Sequence, residues 1–250
     1  MPSVMDLALC ANAVYDKTTK RIGPWTQLEK PIGSDSWGFY ATAYVHDNRK
    51  EMIVAYRGTD DVSDAITDVD ILLGKYPNQA VHAEAALKLW RQRFKTVQSV
   101  WLTGHSLGGG LASLMADAHN LPAVTFNAPG MSRSSIPDWV PIGVGAVIAW
   151  GKSVLDSESD VLHIRTKFDL VSIGTGPRMG IVHNVPAACS VDFNALSGDN
   201  ALTVFLPGYG LVKLVAAAGD YVLCQHKMMS VIAALKGNNL YTNPVIFSNF

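Results

Sequence analysis

The chain is 250 residues long, carries a formal net charge of −1, and is 48% hydrophobic but only 16% charged. That length suits one large domain burying roughly 70–75% of its unfolded surface, and no linker, internal repeat or low-complexity segment divides it, so residues 1–250 are read as a single domain. A pI near 6.6 and the lack of a basic stripe argue against nucleic acid as a partner. A charged fraction below the usual ~25% fits a well-buried sheet or a site that meets apolar substrate.

Val4 to Tyr15 opens the chain as a helix, with Leu7, Ala8, Ala11 and Tyr15 on one side. The β-rich runs Gly38–Val45 and Glu51–Tyr56 are separated by the polar turn His46–Lys50, which predicts a hairpin. Next comes an amphipathic helix from about Ala83 to Gln98, its buried side formed by Ala83, Ala86, Leu87, Trp90, Phe94 and Val97. A strand at Ser99–Thr103, a helix at Ser106–His119 and strands at Ala123–Asn127 and Val161–Thr166 follow. This alternation predicts an α/β domain with a largely parallel sheet behind an N-terminal antiparallel hairpin.

Two apolar stretches, Val140–Trp150 and Leu202–Leu223, are too short or too interrupted for membrane spans, which need ~20 apolar residues. They are expected in the core, with a lipid-facing rim or acyl-chain wall as the alternative. Cys10, Cys189 and Cys224 are odd in number and widely spaced, so all three are expected to be buried, reduced thiols. No basic n-region with a long apolar core follows Met1. The expectation is a cytoplasmic protein, one exported by a signal-independent route, or one whose leader has been removed.

The chemistry starts at Thr103-Gly104-His105-Ser106-Leu107-Gly108-Gly109-Gly110, a G-x-S-x-G run directly after the apolar Val100-Trp101-Leu102. Strand, turn and helix fall where a nucleophile elbow requires them, and glycine two residues either side of Ser106 removes side chains that the tight turn would crush. The pentapeptide alone also occurs in ordinary βα loops; its context singles out Ser106 as the candidate nucleophile. A serine hydroxyl needs a histidine base and a carboxylate to hold that base, in the α/β-hydrolase chain order Ser, Asp or Glu, His.

Asp169, just past a strand end, is favoured over Asp156, Glu158 and Asp160 in an acidic, loop-like cluster. Only His183 and His226 follow Asp169, and position at a loop-to-helix junction favours His226. The other histidines, His105 among them, read as turn, helix-end or packing residues. With no H-x-x-x-H or H-E-x-x-H spacing, neither a metal nor a cofactor is expected. Oxyanion donors are expected at the Leu107 amide and, from Arg57-Gly58-Thr59, at the Thr59 amide.

Val54-Ala55-Tyr56-Arg57-Gly58-Thr59, Thr67-Asp68, Val81-His82, Gly104-His105-Ser106-Leu107-Gly108-Gly109 and Val124-Thr125-Phe126-Asn127-Ala128-Pro129-Gly130 together resemble the class 3 lipases, in the branch with bacterial phospholipase A1-like enzymes. The resemblance runs from about Gly38 to Leu235. It implies an α/β-hydrolase fold, with Ser106, Asp169 and His226 as a triad and Thr59 and Leu107 as oxyanion donors. It also implies a lipid or phospholipid ester substrate met at a membrane surface, and relatives held silent by a small dedicated inhibitor or immunity protein.

The family's lid segment corresponds to Asp60–Asp68, which is acidic and lacks bulky aromatics. After His82 the usual Gly-Phe is replaced by Ala83-Glu84-Ala85. Arg165, Lys167 and Arg178 are candidates for attracting a phosphate. A soluble carboxylesterase or thioesterase acting on a non-lipid acyl group, and an inactive hydrolase-fold binding protein, are the competing readings.

Overall fold

The computed structural model describes the chain outside residues 17, 35–37, 59–75, 131–159, 168, 170–171, 173–179, 187–188, 190–200, 207–209, 216–223 and 225. Its frame is a nine-stranded sheet in the order β1-β2-β4-β5-β6-β7-β8-β9, with β3 paired to β4 off that path. The strands are β1 (Arg21–Ile22), β2 (Trp25–Gln27), β3 (Ile32–Ser34), β4 (Phe39–His46), β5 (Glu51–Tyr56), β6 (Ser99–His105), β7 (Ala123–Phe126), β8 (Val161–Thr166) and β9 (Ile181–Val185). Strands β4 and β5 form the expected antiparallel hairpin, Ala41 opposite Tyr56. From β5 to β9 every neighbouring pair is parallel. A separate antiparallel hairpin, β10 (Ala201–Leu206) with β11 (Gly210–Val215), occupies the apolar stretch before His226.

The central strands read as continuous apolar runs because both sheet faces are covered. Along β5, Met52, Val54 and Tyr56 enter one core with Leu87, Trp90, Leu111 and Leu114 of the helices Tyr76–Arg93 and Leu107–His119. The alternate residues Ile53 and Ala55 enter the other, with Leu7 and Ala11 of the helix Val4–Ala13 and Val231 and Leu235 of the helix Met228–Leu235. The opening helix starts at a capping box in which Ser3 and Asp6 satisfy each other's backbone amides.

The helix expected at Ala83–Gln98 runs Tyr76–Arg93 instead. Pro77 in its first turn costs nothing, since amides there have no intrahelical acceptor. At its far end the amides of Gln98 and Ser99 both donate to the Lys50 carbonyl, which draws the chain out of the helix and into the sheet. Phe94 and Val97 still pack on the same core, so the helical apolar period outlasts the helix. Strands β1 to β3 carry two or three residues each and show no period a sequence could reveal. Among the described residues no helix is long and apolar enough to cross a membrane. The stretch Val140–Trp150 lies outside the described residues.

Candidate active site

Because β5 to β8 run parallel, their carboxyl ends share one rim, where ligands bind in open α/β sheets. Arg57-Gly58 leaves β5, Ser106 leaves β6, Asn127 leaves β7 and Asp169 follows β8. Ser106 is held at φ 55° and ψ −132°, a region that residues with a Cβ enter at a cost of ~1–3 kcal/mol. Its backbone leaves no alternative. The Ser106 amide donates to the Phe126 carbonyl at 3.0 Å, and its own carbonyl accepts from Gly109 and Gly110 at 2.9 and 3.1 Å.

The glycines matter sterically: a Cβ on Gly104 would lie 2.4 Å from backbone atoms of Gly108, and one on Gly108 would lie 2.1 Å from the Tyr56 carbonyl oxygen. Leu107 is the first residue of the following helix, where an amide has no intrahelical acceptor and points outward. Thr59 lies outside the described residues, as do the acidic segment Asp60–Asp68, Asp156, Glu158 and Arg178.

Asp169 and His226 form a fully buried pair, with Nδ1 of His226 2.7 Å from Oδ1 of Asp169. The Ser172 amide donates to the other carboxylate oxygen at 3.1 Å. Burial pushes the Asp169 carboxyl up, but the His226 charge and the hydrogen bonds from His226 and Ser172 outweigh it, leaving the group below the ordinary carboxylate range. Nε2 of His226 is buried and makes no hydrogen bond among the described residues. With Nδ1 engaged by a carboxylate, Nε2 is the nitrogen left to accept a proton.

His183, the competing base, sits on β9 and bonds the Tyr241 hydroxyl at 3.0 Å rather than a carboxylate. Arg165 is engaged with Asn184 at 2.8 Å, Lys167 is exposed, and Asp160 is exposed before β8.

The Tle-like phospholipase domain, a phospholipase-like family, matches residues 7–173. This chain belongs to that family. A putative lipase ATG15 from Candida glabrata is 28% identical over 69% of this chain and 43% of its own length. An extracellular phospholipase A1 from Serratia liquefaciens is 40% identical over 50% of this chain and 42% of its own length. The chain thus spans less than half the length of these curated relatives. The Lip2 lipase of Yarrowia lipolytica superposes with a TM-score of 0.50 at 16% identity, covering 89% of this chain and 90% of that one, and shares the α/β-hydrolase fold.

Two features of this Tle-like domain depart from what the sequence led us to expect. Cys189 and Cys224 form a disulfide, with Cα atoms 6.3 Å apart across a separation of 35 residues. Only Cys10 is a buried free thiol, its pKa pushed up by burial first and the Asp6 charge second. Pairing is decided by tertiary proximity, which spacing alone does not encode. The bridge ties the segment entering His226 to the chain beyond β9, and Ser230 reinforces it by donating to the Cys224 carbonyl at 2.5 Å.

The second departure is His105, which is no mere packing residue. Its ring lies 4.9 Å from that of His226, and its Nε2 is 2.5 Å from the His226 carbonyl oxygen. Asn127 also donates to that carbonyl at 3.3 Å, while its own side-chain oxygen accepts the Thr166 amide at 2.9 Å. The ends of β6 and β7 thereby converge on the backbone of one residue, and the end of β8 is joined to them through the Asn127 side chain. The available sequence signal was adjacency: His105 precedes Ser106, and Asn127 ends the next strand.

Proposed function

We propose that this domain is a serine-dependent carboxylic ester hydrolase acting on lipids, with phospholipid as the substrate class and a phospholipase A1 or lipase type of cleavage. The observation that carries the reading is a buried Asp169–His226 pair together with a serine held at positive φ on an elbow, at a rim where Ser106 leaves β6 and Asp169 follows β8. The phospholipase family match and the Serratia phospholipase A1 likeness support the choice of phospholipid.

In this reading Ser106 Oγ attacks the ester carbonyl as Nε2 of His226 takes its proton, and Asp169 stabilises the imidazolium. The Leu107 and Thr59 amides hold the resulting oxyanion. Collapse expels the lysophospholipid alcohol, protonated by His226, and leaves an acyl group on Ser106. Water, deprotonated by the same nitrogen, then attacks that ester and releases the fatty acid. No metal or cofactor enters any step.

The disulfide supports operation outside a reducing cytosol, by whatever route the protein leaves the cell. A small inhibitor protein fits the same reading, because a cell making an active phospholipase must shield its own membranes. Phosphatidylcholine vesicles test the proposal. Ser106→Ala should lower fatty-acid release by at least about 10³-fold, and a fluorophosphonate should label Ser106 alone in the wild type. Undiminished turnover by Ser106→Ala would refute it.

A further inference from the structure

We infer that His105 is a positioning residue that, through Tyr15, locks the base His226 and the chain leading to Thr59 into one unit around the elbow. The inference rests on the hydrolase reading of Ser106, Asp169 and His226. It is carried by a chain of hydrogen bonds in which each donor is determined.

A carbonyl oxygen only accepts, so Nε2 of His105 carries the proton and donates it to the His226 carbonyl. Nδ1 of His105 is then a lone-pair acceptor. The Tyr15 hydroxyl lies 3.3 Å from it and donates, while the same hydroxyl accepts the Gly58 amide at 3.0 Å. The Gly58 amide is one residue before Thr59, and Tyr15 stands just beyond the opening helix. One neutral imidazole therefore joins three separate parts of the chain: the segment after the opening helix, the exit of β5, and the backbone of the base.

Gly58 is what allows the meeting. A Cβ there would lie 2.6 Å from the His105 carbonyl oxygen, 2.7 Å from the Tyr15 hydroxyl and 3.2 Å from Ser106 Cβ. The linkage works only with His105 neutral, since protonation would remove the acceptor that Tyr15 uses and set a second cation beside the imidazolium formed in the reaction. Burial, followed by the neighbouring His226, pushes the His105 pKa down to about 3, so the neutral form persists across the working range. No proton passes through His105 in the reaction. It fixes where the base and the Gly58 backbone stand.

The test uses the full chain, with active sites counted by fluorophosphonate labelling and turnover measured on phosphatidylcholine vesicles. Tyr15→Phe keeps the ring but deprives Gly58 of its acceptor and His105 of its donor. His105→Gln keeps an N–H for the His226 carbonyl but breaks the link to Tyr15. Each should lower kcat per labelled site by roughly tenfold, the scale of one positioning hydrogen bond, with KM within about twofold of wild type. The double variant should lose no more than either single one, because the residues act as one link. His105→Leu, which removes both bonds, should lose more.

If His105→Gln fails to fold, Tyr15→Phe alone decides. A kcat per labelled site within about twofold of wild type in Tyr15→Phe, or fully additive losses in the double variant, would overturn the inference even if only Tm fell. Retained turnover in Ser106→Ala would instead sink the hydrolase reading itself, so the two failures are distinguishable.

Discussion

The proposed nucleophile and the proposed base of this domain are held by opposite means. Ser106 is fixed by backbone sterics and main-chain hydrogen bonds from within a few residues and the adjoining strand: Gly104 and Gly108 admit the turn, and the Phe126 carbonyl and the Gly109 and Gly110 amides pin it. His226 is fixed by partners far away in sequence: Asp169 on its ring, His105 and Asn127 on its carbonyl, and the Cys189–Cys224 bridge two residues before it. Local sterics make one side chain rigid whatever happens elsewhere. Long-range tethering makes the other dependent on how the whole rim is assembled.

The contrast can be broken from either side. Gly108→Ala attacks the steric side, forcing a methyl to 2.1 Å from the Tyr56 carbonyl oxygen. We expect a loss at or beyond the upper end of the ~1–3 kcal/mol typical of overpacking, read as collapse of Tm or of soluble yield. On the tethered side, Asp169→Asn should leave the fold near wild type yet lower kcat by about 10³–10⁴-fold, because the amide no longer fixes the tautomer or stabilises the imidazolium. Circular dichroism with vesicle hydrolysis separates the two outcomes.

Smaller effects probe the tethers. Paired Cys189→Ser and Cys224→Ser replacement, or reduction by dithiothreitol, should cost about 2–4 kcal/mol of stability for a loop of this size. It should also lower kcat through His226, while an equal loss of stability at Cys10, which makes no bridge, should not. Denaturant melts with and without reductant, alongside rates per labelled site, check this.

The last expected effect is a pH dependence. His105 has a folded pKa of about 3 against ~6.5 unfolded. Below pH 6.5 the unfolded chain therefore binds a proton that the folded one refuses. Stability is fully present above pH 6.5 and falls as pH drops toward 3. Asp169, also lowered, adds its own loss only at the acid end, as pH falls through its depressed folded value. His105→Gln should flatten the stability slope between pH 6.5 and 3 while leaving the Asp169 contribution in place.

The same contrast explains what the sequence disclosed. The elbow was legible because glycine at two fixed offsets is a local steric demand, and the parallel strands were legible because burial on both faces leaves unbroken apolar runs such as Met52–Tyr56. Chain order, with position past a strand end and at a loop-to-helix junction, nominated Asp169 and His226, which the structure places in hydrogen-bond contact. The Cys189–Cys224 bridge and the role of His105 were not legible, since both depend on contacts across 35 and 121 residues. The short strands β1 to β3 and the start of the helix at Tyr76 escaped for a different reason: two or three residues, or a first turn containing Pro77, show no period.

In the proposed reaction Ser106 carries the acyl group of a lipid ester during turnover. Acid-quenching the wild type within milliseconds of mixing with phosphatidylcholine, followed by peptide mass spectrometry, reads this directly. A fatty-acyl adduct is expected on the peptide containing Ser106, abolished in Ser106→Ala and accumulating in His226→Ala if acylation still proceeds slowly. Steady hydrolysis with no adduct on Ser106, or with the adduct on another residue, would contradict it.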